Sequence, residues 1–100
     1  MSYRIEIASI AEAETDQAFL WIASQTSQET ARKWYQGLLR AIESLTVMPK
    51  RCPLARENAD FSQEIRQLLY GKGHSQYRVL FALFDELEES TVRVLHIRHA

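Results

Sequence analysis

The sequence predicts an α+β fold, a two-layer sandwich in the order β-α-α-β-β-β with a helical hairpin packed on one face of a mainly antiparallel sheet. Three observations predict it. Tyr3, Ile5 and Ile7 alternate with Arg4 and Glu6, the period of a half-buried strand. Ala31, Trp34, Tyr35, Leu38, Ala41, Ile42 and Leu45 recur at helical spacing and form one apolar stripe. Three apolar runs follow, Ile65 to Tyr70, Tyr77 to Phe84 and Val92 to Arg98. They are separated by Gly71-Lys72-Gly73-His74 and by an acidic turn from Asp85 to Glu89, which reads as an antiparallel meander.

After the first strand, Ser9-Ile10-Ala11-Glu12 has capping-box spacing, and Glu12, Glu14 and Asp16 suit the positive end of a helix dipole. A helix to about Gln25 is expected, with Phe19, Leu20, Trp21 and Ile22 too crowded for a clean stripe. Thr26-Ser27-Gln28-Glu29 repeats the capping-box spacing at once, so the link between the helices is tight and the helices antiparallel. Pro49 stops the second helix, and Pro53 keeps the next residues out of helix. Lys50 to about Phe61 reads as a long loop, either functional or loosely held. In the middle meander strand Tyr77, Val79, Phe81 and Leu83 share one face, and Arg78, Leu80, Ala82 and Phe84 the other. Both faces are apolar beyond the arginine, so helices should cover one and another segment part of the second.

A chain of 100 residues, 46% hydrophobic and 25% charged, has the length and composition of one globular domain spanning residues 1–100. A net charge of −1 counts against a free-standing nuclease that holds its substrate by bulk charge. Lys50, Arg51, Arg56, Arg66, Lys72 and Arg78 nonetheless fall mid-chain, which leaves room for a local basic patch. The single cysteine, Cys52, fits a reducing, cytoplasmic setting. No segment reads as a signal peptide or membrane span, and no membrane role is expected.

Among candidate site residues, Arg78 either pairs with an acid or faces a functional surface, because an unpartnered buried arginine is costly. Arg66 is either functional or a solvated strand-edge arginine bridged to Glu64 or Glu57. His96 and His99 can carry protons near neutrality, but three-residue spacing in a strand points them to opposite faces, a poor metal pair. Cys52 has basic neighbours but no histidine close in sequence, and reads as a free loop thiol. Trp34 and Tyr35 belong to the core stripe, whereas an exposed part of Trp21 offers a docking surface.

The same element order, with Ala31-Arg32-Lys33-Trp34, Leu45-Thr46-Val47-Met48-Pro49, Glu64-Ile65-Arg66-Gln67-Leu68, Gln76-Tyr77-Arg78-Val79-Leu80-Phe81 and Val92-Arg93-Val94-Leu95-His96, resembles the RelE/ParE toxin superfamily over nearly the whole chain. The resemblance implies the toxin of a type II toxin–antitoxin, or plasmid stabilisation, system. Such a toxin is a cytoplasmic growth inhibitor with no cofactor or metal, held silent by a cognate antitoxin, as a homodimer or in a heterotetramer with that antitoxin. RelE-like members cut mRNA on the ribosome; ParE-like members bind DNA gyrase and are not enzymes.

If the chain were such an endoribonuclease, Arg78, Arg66 and His96 would be its catalytic residues. Glu64, however, stands where a lysine would be, and a carboxylate there repels a scissile phosphate. The terminal arginine and tyrosine of that branch have no counterpart. Arg66, Arg78 and Val94-Leu95-His96 fit the ParE-like branch equally, with Arg66, Arg78, Trp21, His96 and Arg98 expected on the surface that meets target or antitoxin. That branch continues into a basic tail, so a native C-terminal tail is expected beyond Ala100. The reading is a non-enzymatic gyrase inhibitor; the alternatives are a RelE-like endoribonuclease and an inactive relative that binds only an antitoxin.

Overall fold

The computed structural model describes residues 2–85 and 89–100. Strand β1 (Arg4–Ile7) leads into helices α1 (Ser9–Gln25) and α2 (Gln28–Glu43), and strands β2 (Glu64–Tyr70), β3 (Tyr77–Asp85) and β4 (Ser90–His99) complete the chain. The sheet order is β1-β4-β3-β2, with β1 parallel to β4 and the other neighbours antiparallel. The α+β sandwich is thus the one expected, and the parallel β1 is the exception that "mainly antiparallel" allowed. The expected turn from Asp85 to Glu89 lies largely outside the described residues.

The helical face of the sheet is the main core: Val79, Phe81, Leu83, Val92 and Val94 pack against Ala11, Ala18, Ile22, Trp34, Leu38 and Ile42. α2 buries its predicted stripe, although Tyr35 is partly exposed. α1 packs through Ala11, Thr15, Ala18 and Ile22, a narrow line of mostly small side chains that leaves Leu20 and Trp21 exposed. This explains why its bulkier residues gave no stripe.

Three expected boundaries shift. Ser9 does not cap α1: the Ala8 N–H donates to Val94 O, which holds Ala8 extended and makes it the N-cap, with no side-chain oxygen to offer. Thr26 does not cap α2, because both its N–H and its hydroxyl donate to Ile22 O at the end of α1; Ser27 is the cap and accepts from the Thr30 N–H at 3.1 Å. The link is as tight as predicted. α2 ends at Glu43 rather than running to Pro49, since Tyr3 N–H takes Thr46 O and Ser2 bridges Val47, drawing that segment out of helix beside β1. Met48 turns there through a left-handed conformation (φ 51°), and the Arg51 guanidinium donates to the carbonyls of Ser44, Val47 and Met48.

The expected loop from Lys50 to Phe61 is a strap of two 3-10 turns, Pro49–Arg51 and Arg56–Asp60. It is tied to the outer edge of β2 by Ala55 N–H to Ile65 O, Gln67 N–H to Pro53 O and Ile65 N–H to Asn58 Oδ1, at 2.8 to 3.0 Å. This is the cover expected for the far face: Ala55 packs with Ile65, Leu80 and Ala82 in a second, smaller core. A loosely held loop is therefore not what forms.

Candidate functional site

Cross-strand partners share a face, so the register sorts the candidate residues. Arg78 lies opposite Arg98 and Leu80 opposite His96, all on the far face with the second core. Arg66 lies opposite Phe81, a residue of the helical-side core, and therefore projects to the other face. Trp21 sits in the helical layer, its ring 5.8 Å from that of His99, which in turn lies against Tyr77. The structure brings together Arg78, Arg98 and His96; it does not bring Arg66 or Trp21 to them. His96 and His99 occupy opposite faces, as their spacing predicts.

At the centre of the far face stands Glu57, delivered by the second turn of the strap. Its carboxylate accepts a fork from Arg78, Nη1 to Oε2 at 3.0 Å and Nη2 to Oε1 at 2.7 Å. Gln67 Oε1, from β2, accepts from Arg78 Nε at 3.0 Å and Nη2 at 2.8 Å. The Arg78 side chain is only 9% exposed, so planar two-point pairing is what makes its burial tolerable. Arg98 and Arg56 stand farther from the same carboxylate, at 3.9 and 3.8 Å. Hydrogen bonding from Arg78 outweighs desolvation and holds the Glu57 carboxyl at about 2, well below its usual 4.5. Of the two alternatives open for Arg78, the acid partner is the one the structure supplies.

Arg66 is bonded to Glu64 (Nε to Oε2, 2.8 Å) and donates to the carbonyls of Lys50 and Cys52, fastening the start of the strap to β2. His96 Nδ1 lies 3.2 Å from Glu14 Oε1, and the same oxygen accepts the Ile97 N–H at 2.9 Å. β1 pairs with β4 only as far as Val94, so Glu14 from α1 closes the strand edge that β1 leaves open. Cys52 is buried, and burial raises its thiol pKa against the opposing influence of Arg51 and Arg66, which makes it a poor nucleophile. Among the described residues no group of three or more His, Cys, Asp or Glu side chains is placed to hold a metal, and no helix is long and apolar enough to cross a membrane.

Glu57, Gln67 and Glu14 were not foreseen as parts of this site. Glu57 was named only as a bridge for Arg66, and the acid-rich start of α1 suggested nothing beyond the helix dipole. A signal existed for Glu57 alone: a buried strand arginine requires an acid, and the loop was the long segment free to provide one.

A family model described as "ParE toxin of type II toxin-antitoxin system, parDE" matches residues 5–100. Among solved structures, the "Chromosomal ParDE TA system from P. aeruginosa" is similar with a TM-score of 0.76 and 14% identity, covering 99% of this chain and 97% of that one. At that identity the likeness shows a shared fold. No curated protein matches the chain.

Proposed function

The chain belongs to the ParE toxin family of type II toxin–antitoxin systems, and from that premise we propose that it inhibits growth by binding, not by catalysis, with DNA gyrase as its target. The observation that carries this reading is the closed fork of Arg78. Four of its five guanidinium N–H groups already donate to Glu57 or Gln67, which leaves a single Nη1 N–H for the developing charge of a cleaved phosphodiester. Arg66, on the opposite face, is engaged by Glu64 and two carbonyls and does not join it. Of the three residues that a metal-independent nuclease would use, Arg78 is held by Glu57 and Gln67, His96 shares its face but lies against Glu14, and Arg66 projects to the other face.

The natural partner is a cognate antitoxin from the neighbouring reading frame, in the cytoplasm. Exposed Leu20, Trp21, Leu39, Phe61 and Leu69, spread over both layers, support a partner that wraps the chain. Inducing the chain in a bacterial host without that antitoxin tests the reading. Protein synthesis should continue while DNA synthesis stalls; immediate arrest of amino-acid incorporation would instead mark a ribosome-dependent endoribonuclease, and unimpaired growth an inactive relative. Co-expression of the neighbouring frame should raise soluble yield and co-purify with the chain.

A further inference from the structure

The far face carries a pattern that folding alone does not require. β4 sets Arg93 opposite Ala82, His96 opposite Leu80 and Arg98 opposite Arg78. In a regular strand Arg93 and His96 would point to opposite faces. The break in register at Leu80/Phe81 leaves Leu95 as an extra residue on β4 and brings all three basic side chains to one side. Beside this stripe is a cavity of about 340 Å³ lined by Ile10, Phe61, Ile65, Ala82, Phe84 and Leu95, with Arg93 and His96 at its wall.

Three arginines meet one carboxylate at the end of that stripe. Arg78 takes both oxygens of Glu57, while Arg98 and Arg56 reach them only beyond hydrogen-bonding distance, with side chains 46% and 82% exposed. Their donors remain open to another acceptor. Arg93 has no hydrogen bond or ion pair among the described residues and is exposed. Cationic groups are therefore in excess along a stripe that runs from Glu57 to an apolar hollow with Arg93 at its wall, the complement of an acidic, apolar ligand.

We propose that this face binds an acidic, apolar peptide segment of a protein partner, with carboxylates on Arg98 and Arg93 and an apolar side chain in the cavity. Glu57 is the internal counter-ion that tempers the affinity. Arg98 and Arg93 lie opposite β3 residues four positions apart, a separation of about 13 Å at strand rise. An extended segment meets it with two acids four residues apart on one side, and the next residue on that side beyond the acid at Arg93 reaches the cavity, whose Ala82 and Phe84 walls lie at that end of the stripe. A nucleic-acid strand fits less well, because Glu57 and Glu14 stand beside Arg98 and His96 and oppose a continuous run of phosphates. Naming the natural segment as part of the antitoxin rests on the function proposed above; the site itself does not.

The test is a fluorescence-anisotropy titration of the full chain with a labelled peptide repeating Glu-Ser-Leu-Ser, and with its Gln-Ser-Leu-Ser counterpart. The glutamate peptide should bind and the glutamine peptide should not. Arg93→Ala and Arg98→Ala should each weaken binding about tenfold, and Glu57→Gln should tighten it about tenfold, while Lys33→Ala on α2 leaves it unchanged. Equal binding of the two peptides, no binding of either, or wild-type affinity in both arginine variants overturns the proposal. So does equal competition by oligothymidylate, which would make the stripe a nucleic-acid site. No antitoxin enters this titration, so its outcome is independent of the growth and co-expression experiments.

Discussion

Arg78 shows how one side chain can be identified correctly as exceptional while its role depends on residues that no local pattern reveals. Its place in an apolar strand predicts a partner, but the partner is 21 residues away in a segment without periodicity, and Gln67 is a neutral residue across the ladder. Removing the guanidinium would strand the Glu57 carboxylate and the Gln67 carbonyl, so Arg78→Ala should cost about 3 kcal/mol in chemical denaturation. Arg78→Lys keeps the charge but cannot form the fork, and should recover less than half of that loss. Equal stability of all three proteins would show that the fork is not what holds the strap. Gly37 makes a second case. Alanine there improves helix propensity by about 1 kcal/mol, yet its Cβ would collide with the Tyr70 hydroxyl, which donates to Trp34 O at 2.9 Å while its ring packs near Trp34. Loss of that hydrogen bond and forced repacking outweigh the gain, so Gly37→Ala should destabilise the chain by about 1 to 2 kcal/mol.

At the level of elements, types and order were legible because they follow from periodicity, whereas boundaries were set by hydrogen bonds from distant strands. The alternation in β1, the stripe of α2 and the three meander runs each report a buried face directly. The cap positions do not: Ala8 is held by Val94, Thr26 by Ile22, and the end of α2 by Tyr3. The consequence is measurable. Ser27→Ala removes the acceptor of the Thr30 N–H and should cost about 1 kcal/mol, while Ser9→Ala, at a position that caps nothing, should be nearly neutral. A larger loss from Ser9 than from Ser27 would restore the capping boxes as the sequence spaced them. The strap was the least legible element, since 3-10 turns and edge bridges leave no repeat to read. The side-chain stripe on β4 was hidden for a related reason: a bulge reverses the facing of every residue after it.

The whole molecule is a sheet covered on one face by helices and on the other by a strap, and the strap is attached electrostatically as well as by backbone pairing. Glu57 anchors its second turn to Arg78, while Asp85, at the end of β3, accepts from Tyr3 at 2.6 Å and from Lys50, in its first turn, at 3.4 Å. Both carboxyls are held below their usual range, Asp85 mainly by the Tyr3 hydrogen bond and Glu57 mainly by Arg78. A carboxyl that is more acidic in the folded chain than in the unfolded one makes the unfolded chain bind more protons as pH falls. Its contribution is therefore complete above about 4.5 for Glu57 and is lost progressively as pH falls toward about 2. Glu57→Gln cannot take part in that titration, so its urea midpoint should fall less steeply than the wild-type midpoint across this interval. Near neutrality the variant should be the less stable of the two, with the difference narrowing as the wild-type carboxylate is protonated. Parallel profiles for the two proteins would mean that acid loosens the fold elsewhere, and that the Glu57 contact does not couple the strap to the sheet.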